Sequence, residues 1–337
     1  MVFNAKGGEA MKDHVMEWLL EEKDPSVRFF TLTSLLGKAP EDAEVKAARG
    51  AIMDHGPVAE LLQQQNEDGS WGVPERFYLD KYKGTMWTLL ILAELAADPA
   101  EPKVRKACEF MLQHSQEAQS GGFSFRESAK TGGGLPSGVV PCLTGNLVFT
   151  LSRLGYLGDP RIRKAIDWIV RYQRADDGDG PAPAGEPYER FPMCWGKHSC
   201  HMGAAKTFKA LAALPASQRS REAEDKLLEL AEYFLKHHLY KKSHDLNEVA
   251  RPGWLKPGFP LMYQTDILEL LEIFHDLKIS DPRLSDALEI LRGKRQADGT
   301  WKMENSNNGK MLVRIEKKGA PSKWITLKAL KVLRENG

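Results

Sequence analysis

The chain has 337 residues, of which 42% are hydrophobic and 28% charged, with a formal net charge of +1. So even a balance leaves no global field for nucleic acid or anionic lipid, while the length suffices for one large core. Four cysteines in a chain this long make no disulfide scaffold, which points to a reducing, cytoplasmic setting.

In chain order, the opening residues Met1 to Gly8 lack a signal-peptide core. From about residue 10 to 335, amphipathic helices alternate with more apolar ones, giving a single domain over 1–337. The apolar set is expected at 29–36, 85–95, 145–154, 203–214, 266–277 and 325–333. Its longest run, 86–97, is interrupted by Glu94 and falls short of a membrane span. The companion helices carry a charged face, as in 221–235 with Glu222, Glu224, Lys226 and Glu229. Periodicity therefore places one set inside and the other outside. Asp159-Pro160 and Asp281-Pro282 open two outer helices: Asp caps free amides, and Pro at the first position loses no bond.

A Gly-rich elbow joins each outer helix to its inner partner. It is clearest in Gln65-Asn66-Glu67-Asp68-Gly69-Ser70-Trp71 and Gln296-Ala297-Asp298-Gly299-Thr300-Trp301, with weaker copies at 119–123 and 173–178. The step is roughly 57 residues. Glycine permits the left-handed exit, tryptophan wedges between helix pairs, and glutamine bonds loop backbone. Six such pairs predict an all-α fold, an α6/α6 toroid, with an open solenoid as the competing arrangement. The Pro- and Gly-rich stretches at 132–134, 178–185 and 252–260 fall inside elbows, so long loops gather at one rim, where binding chemistry usually sits.

Two groups of side chains at that rim carry chemistry. Cys142 and Cys200 each precede a glycine, Gly145 and Gly203, by the same interval, which makes them equivalent positions on neighbouring inner helices. Cys194 lies just ahead, and His198 and His201 flank Cys200. Thiolate and imidazole are preferred zinc donors, so Cys142, Cys194, Cys200, His198 and His201 form the candidate metal set. Small core thiols with solvent-facing histidines, or reversible disulfide chemistry, are the other readings; Cys108 reads as core. The second group interleaves aromatic and basic residues: Tyr78, Asp80, Lys81, Tyr82 and Lys83 before the second inner helix, and Trp254, Tyr263 and Asp266 before the fifth. Tyr82, Trp87, Trp195, Trp254, Tyr263 and Trp324 are the candidate substrate contacts. Asp266 and Asp80 are the candidate acids, although Asp266 also suits a helix cap.

The Gln-x-x-Asp-Gly-x-Trp elbows between paired helices resemble the repeats of the prenyltransferase and squalene-cyclase superfamily, over nearly the whole chain. The resemblance implies an α/α toroid with a cavity lined by inner helices. It also implies a zinc-containing enzyme acting there on an apolar, isoprenoid substrate, with peripheral membrane contact possible for such a ligand. Within it, His198-Ser199-Cys200 and Tyr263-Gln264-Thr265 resemble the metal-site motifs of protein prenyltransferases, with His and Gln in place of Asp and His. Two further readings stand beside this one. One is a non-catalytic toroid binding protein or lipid around a structural metal; the other is a single-domain terpene cyclase without the Asp-x-Asp-Asp acid.

Overall fold

The computed structural model describes residues 14–178 and 180–334, so the segment read for a signal lies outside the described residues. Residues 14–19 are helical. The helices that follow are α1 (Pro25–Phe30, continued by a π-turn at Thr31–Leu35), α2 (Ala43–Asp54), α3 (Gly56–Gln63), α4 (Thr85–Glu94) and α5 (Pro102–His114). Next come α6 (Pro141–Leu151), α7 (Pro160–Tyr172), the short α8 (Pro192–Trp195), α9 (His201–Ala212) and α10 (Arg221–Lys236). The last are α11 (Ile267–Asp276), α12 (Ser285–Gly293) and α13 (Lys323–Leu333). The fold is all-α apart from a small antiparallel hairpin in the fifth elbow, β1 (Lys241–Lys242) and β2 (Asp245–Val249), which the sequence pattern does not announce.

Burial separates the two sets as periodicity requires. Every residue of α4 is buried, as is every residue of α6 except Cys142, whereas α7 buries only Ile162, Ala165, Trp168 and Ile169. The Asp-Pro signals work as caps: Asp159 accepts from Arg161 N and Asp281 from Arg283 N, both at 2.8 Å.

The elbow is one local construction repeated. Trp71 Nε1 donates to Leu61 O and Trp301 Nε1 to Leu291 O, both at 2.7 Å, tying the elbow back to its outer helix. The main-chain N–H groups of Trp71, Phe123 and Trp301 donate to the hydroxyls of Thr85, Thr144 and Thr326, each at 3.0 Å, tying it forward to the inner helix. Gly69 and Gly121 sit at φ +93° and +83°, and a Cβ on either would lie within 2.9 Å of Lys106 or Lys164 in the next outer helix. Only glycine satisfies both demands. The glutamines extend the tie: Gln65 donates to Gly69 O and Lys103 O, and Gln116 to Gly121 O and Arg161 O. The bridging residue in the third elbow is thus Gln116 rather than Gln119. In the last elbow Arg295 takes this place, donating to Gly299 O.

Inner helices pack in the order α4, α6, α9, α11, α13, α1. The closest approach is α6 to α9, where a Cβ on Gly145 would lie 2.5 Å from the Lys206 backbone and one on Gly203 2.9 Å from Pro141. Those pairings advance together along both helices, so α6 and α9 run parallel. Lys328 with Glu272 and Lys331 with Asp276 show the same sense for α11 and α13. The first and last pairs touch: Lys323 Nζ lies 2.6 Å from Glu21, and Phe30 meets Trp324 edge-on at 5.9 Å. Among the described residues no helix is long and apolar enough to cross a membrane.

The α6–α9 contact makes Gly145→Ala costly, by about 1–3 kcal/mol or more from overpacking. Gly50→Ala, in α2 with open space around it, should instead gain about 0.5–1 kcal/mol. Urea unfolding of both variants measures the contrast, and equal stabilities would contradict the close approach.

Candidate functional site

The three rim thiols gather near one another without the histidines. Burial pushes Cys142 up to about 12, with the neighbouring Cys200 and Cys194 adding to the rise, and burial and Cys200 push Cys194 up to about 11. Both are therefore neutral thiols near pH 7, and all four cysteines are unpaired. His201 turns away, stacked on Trp254 at 3.7 Å and edge-on to Phe234. Burial, then His237 and Arg251, hold it well below the usual histidine range. His198 is exposed, with Nδ1 2.9 Å from Asp177 O in the elbow. Cys142 is the second residue of α6 whereas Cys200 is the N-cap of α9, so the equal glycine spacing hides a shift of helix start. Among the described residues no three His, Cys, Asp or Glu side chains form a group able to hold a metal ion. The five candidate ligands do not fit zinc as arranged.

The aromatic candidates divide among separate places. Tyr82, Trp87 and Tyr263 pack together with ring centroids 5.2–6.4 Å apart, and Gln264 donates to the Tyr82 hydroxyl at 2.9 Å. Lys81 lies over the Tyr263 ring at 4.4 Å. The Asn146 amide of α6 donates to Met262 O at 3.1 Å, drawing the fifth elbow inward over the inner helices. This cluster lies where α4 and α11 begin. Trp195 is buried against Trp168 and Tyr188, and Trp254 lies on His201. Only Trp324 lines a large cavity.

That cavity, of about 330 Å³, is lined mostly from the later turns of the inner helices, with Glu269 and Trp324 entering from the first turns of α11 and α13. All six inner elements contribute to it: Phe30 from α1, Glu94 from α4, Phe149 from α6, Lys209 from α9, Glu269 and Glu272 from α11, and Trp324 and Lys328 from α13. Its wall is an ionic lattice. Lys206 Nζ donates to both oxygens of Glu269 at 2.8 and 2.7 Å, with side chains only 1% and 4% exposed. Lys209 joins Glu94 to Glu269; Lys328 and Lys331 meet at Glu272, and Lys331 also reaches Asp276. Burial works against ionisation of Glu269 and Glu272, yet Lys206 and Lys209 hold the first, and Lys328 and Lys331 the second, at about 2. The sequence reading passed over this lattice. Its signal is the three-residue spacing of Lys206 and Lys209, Glu269 and Glu272, and Lys328 and Lys331, which sets like charges on one face of each inner helix.

Asp266 is the N-cap of α11, accepting from Glu269 N and Gly258 N at 2.9 Å each. Burial pushes its carboxyl up to about 7 against those two donors, and the charge of Glu269 adds to the rise. It borders a water-sized space of about 10 Å³ that shares Glu94, Lys209, Glu269 and Lys328 with the larger cavity. Asp80 lies elsewhere, in an ion pair with Arg76 at 2.6 Å.

No protein-family profile matches this chain, and no curated protein matches it. Solved structures do. A protein from Actinoplanes is 16% identical with a TM-score of 0.44, covering 92% of this chain and 89% of its own. Two variants of the type II terpene cyclase MstE from Scytonema, each in complex with its substrate geranylgeranyl dihydroxybenzoate, are 14% identical. Their TM-scores are 0.41 and 0.42, covering 92% of this chain and 85% of theirs. Likeness at this level decides nothing about chemistry.

Two outcomes follow from the charges. Glu269→Leu alone leaves Lys206 buried without its carboxylate and should cost about 3–5 kcal/mol; Lys206→Met, which leaves Glu269 its contact with Lys209, should cost less, and the double variant recovers most of the first loss. Chemical unfolding of the three proteins tests this, and additive losses would mean the two groups do not interact. Asp266 holds its proton to about pH 7 when folded but only to about 3.8 when unfolded. Its contribution to stability is thus complete at low pH and lost as pH rises between those values. Asp266→Asn should flatten the fall in stability from pH 4.5 to 7; an unchanged slope would place that proton on another group.

Proposed function

We propose that the six helix pairs close into one α6/α6 toroid whose axis holds a small-molecule site, open at the rim where the inner helices end. The observation that carries this reading is the 330 Å³ cavity, to which every inner helix contributes a side chain. The contact of α1 with α13 supports closure, because it joins the first pair to the last. The lattice provides polar anchoring, while Phe30, Phe149 and Trp324 provide apolar faces. Such a wall suits a ligand with polar groups beside a compact apolar body. An isoprenoid with a polar head fits it better than a bare hydrocarbon, which would leave the lattice desolvated and unanswered.

In an enzymatic role Asp266 is the group suited to move a proton, since it titrates near neutrality beside a space that adjoins the site. Zinc stands outside this reading. Its candidate thiols lie at the start of α6 and α9, on the opposite rim from the cavity.

Blocking the cavity tests the proposal. Ala212 lines it at the end of α9, so Ala212→Trp should fill the entrance while leaving the fold intact. Ligand-observed NMR with a fragment library is expected to give hits on the natural protein that vanish with the variant. A folded variant that keeps every hit would remove the cavity as the site.

A further inference from the structure

The cavity carries five cations, Arg153, Lys206, Lys209, Lys328 and Lys331, in or against its wall, and four carboxylates, Glu94, Glu269, Glu272 and Asp276. Each lysine is committed to a carboxylate. Arg153 is not: among the described residues its guanidinium meets only the ring faces of Phe30 and Phe149, at 5.7 and 5.9 Å. It sits in the π-turn that ends α6, at the cavity mouth, with Ser34 one turn beyond Phe30 on the α1 side. Two aromatic faces hold the planar fork in place and leave its N–H edges free.

From this we infer that Arg153 is the anion-recognising group of the site, taking a carboxylate or phosphate ester whose apolar part rests among Phe30, Phe149 and Trp324. The inference rests on the cavity being the ligand site. An anion balances the one surplus cation and makes paired, charge-assisted bonds to the guanidinium edge. A cationic ligand would meet the surplus charge directly, and a neutral one would forgo the charge-assisted bonds. The lysines cannot substitute, because each would have to abandon a carboxylate in a poorly solvated wall.

The test compares ligands that share a body and differ in charge: benzoate with benzamide, and geranate with geranamide. Calorimetric titration of the full chain should show at least one carboxylate binding tenfold or more tightly than its amide. Arg153→Gln, an exposed change that should leave the melting temperature unaltered, is expected to erase that ratio without weakening the amide. Carboxylate and amide binding alike, or a preference that survives Arg153→Gln, overturns the inference while leaving the cavity as the site. If no member of either pair binds and Ala212→Trp behaves as the natural protein, the cavity reading fails and the inference falls with it.

Discussion

One ion pair conditions the middle of this molecule. Lys206 and Glu269 face each other between α9 and α11 with almost no solvent around them, and two opposite charges so placed must stay paired. The same Lys206 gives the backbone against which Gly145 packs, so the closest helix contact and the most buried charge share a residue. A side chain on Gly145 would push α9 away from α6 and with it the ammonium away from its carboxylate. Small-residue packing and ionic pairing are therefore a single constraint, and the rest of the lattice extends from it through Lys209 to Glu94.

The parallel course of the inner helices explains why charges gather where they do. Helices pointing the same way bring their carbonyl ends to one rim, where partial negative charge accumulates. Lys209, Lys328 and Lys331 lie toward those ends and answer it, while Glu94, Glu272 and Asp276 answer the lysines. At the opposite rim the helices begin, and free N–H groups are met by caps such as Ser322 and Asp266. That rim needs no compensating cations and is closed instead by Tyr82, Trp87, Tyr263 and Met262.

What the sequence made legible was local. A glycine at positive φ, a tryptophan bonding a carbonyl ten residues earlier and an aspartate capping the next helix act over short spans, so spacing alone exposes them. What it concealed depends on direction. Lys206, Lys209, Glu269, Glu272, Lys328 and Lys331 sit among apolar neighbours that dominate any periodicity, and only the facing helix shows that their stripes converge. Cys142 and Cys200 share a glycine spacing and do lie near each other, yet His201 is claimed by the Trp254 ring. No spacing rule could have said whether that imidazole joins sulfur or stacks.

Long loops gathered at one rim suggested that the site would open there, as loops on a rigid scaffold commonly carry function. In this chain the loops are consumed in bonding to one another. The fifth elbow is pulled inward by Asn146 and meets Tyr82 through Gln264, and the sixth accepts the Tyr82 N–H at Lys310 O. Those bonds pack the elbow aromatics Tyr82 and Tyr263 against each other and against Trp87. The connections that follow α6, α9 and α11 are shorter, and Arg153, Ala213 and Asp276 at those ends line the cavity. Access is thus decided by which elbows are long enough to bond across to one another.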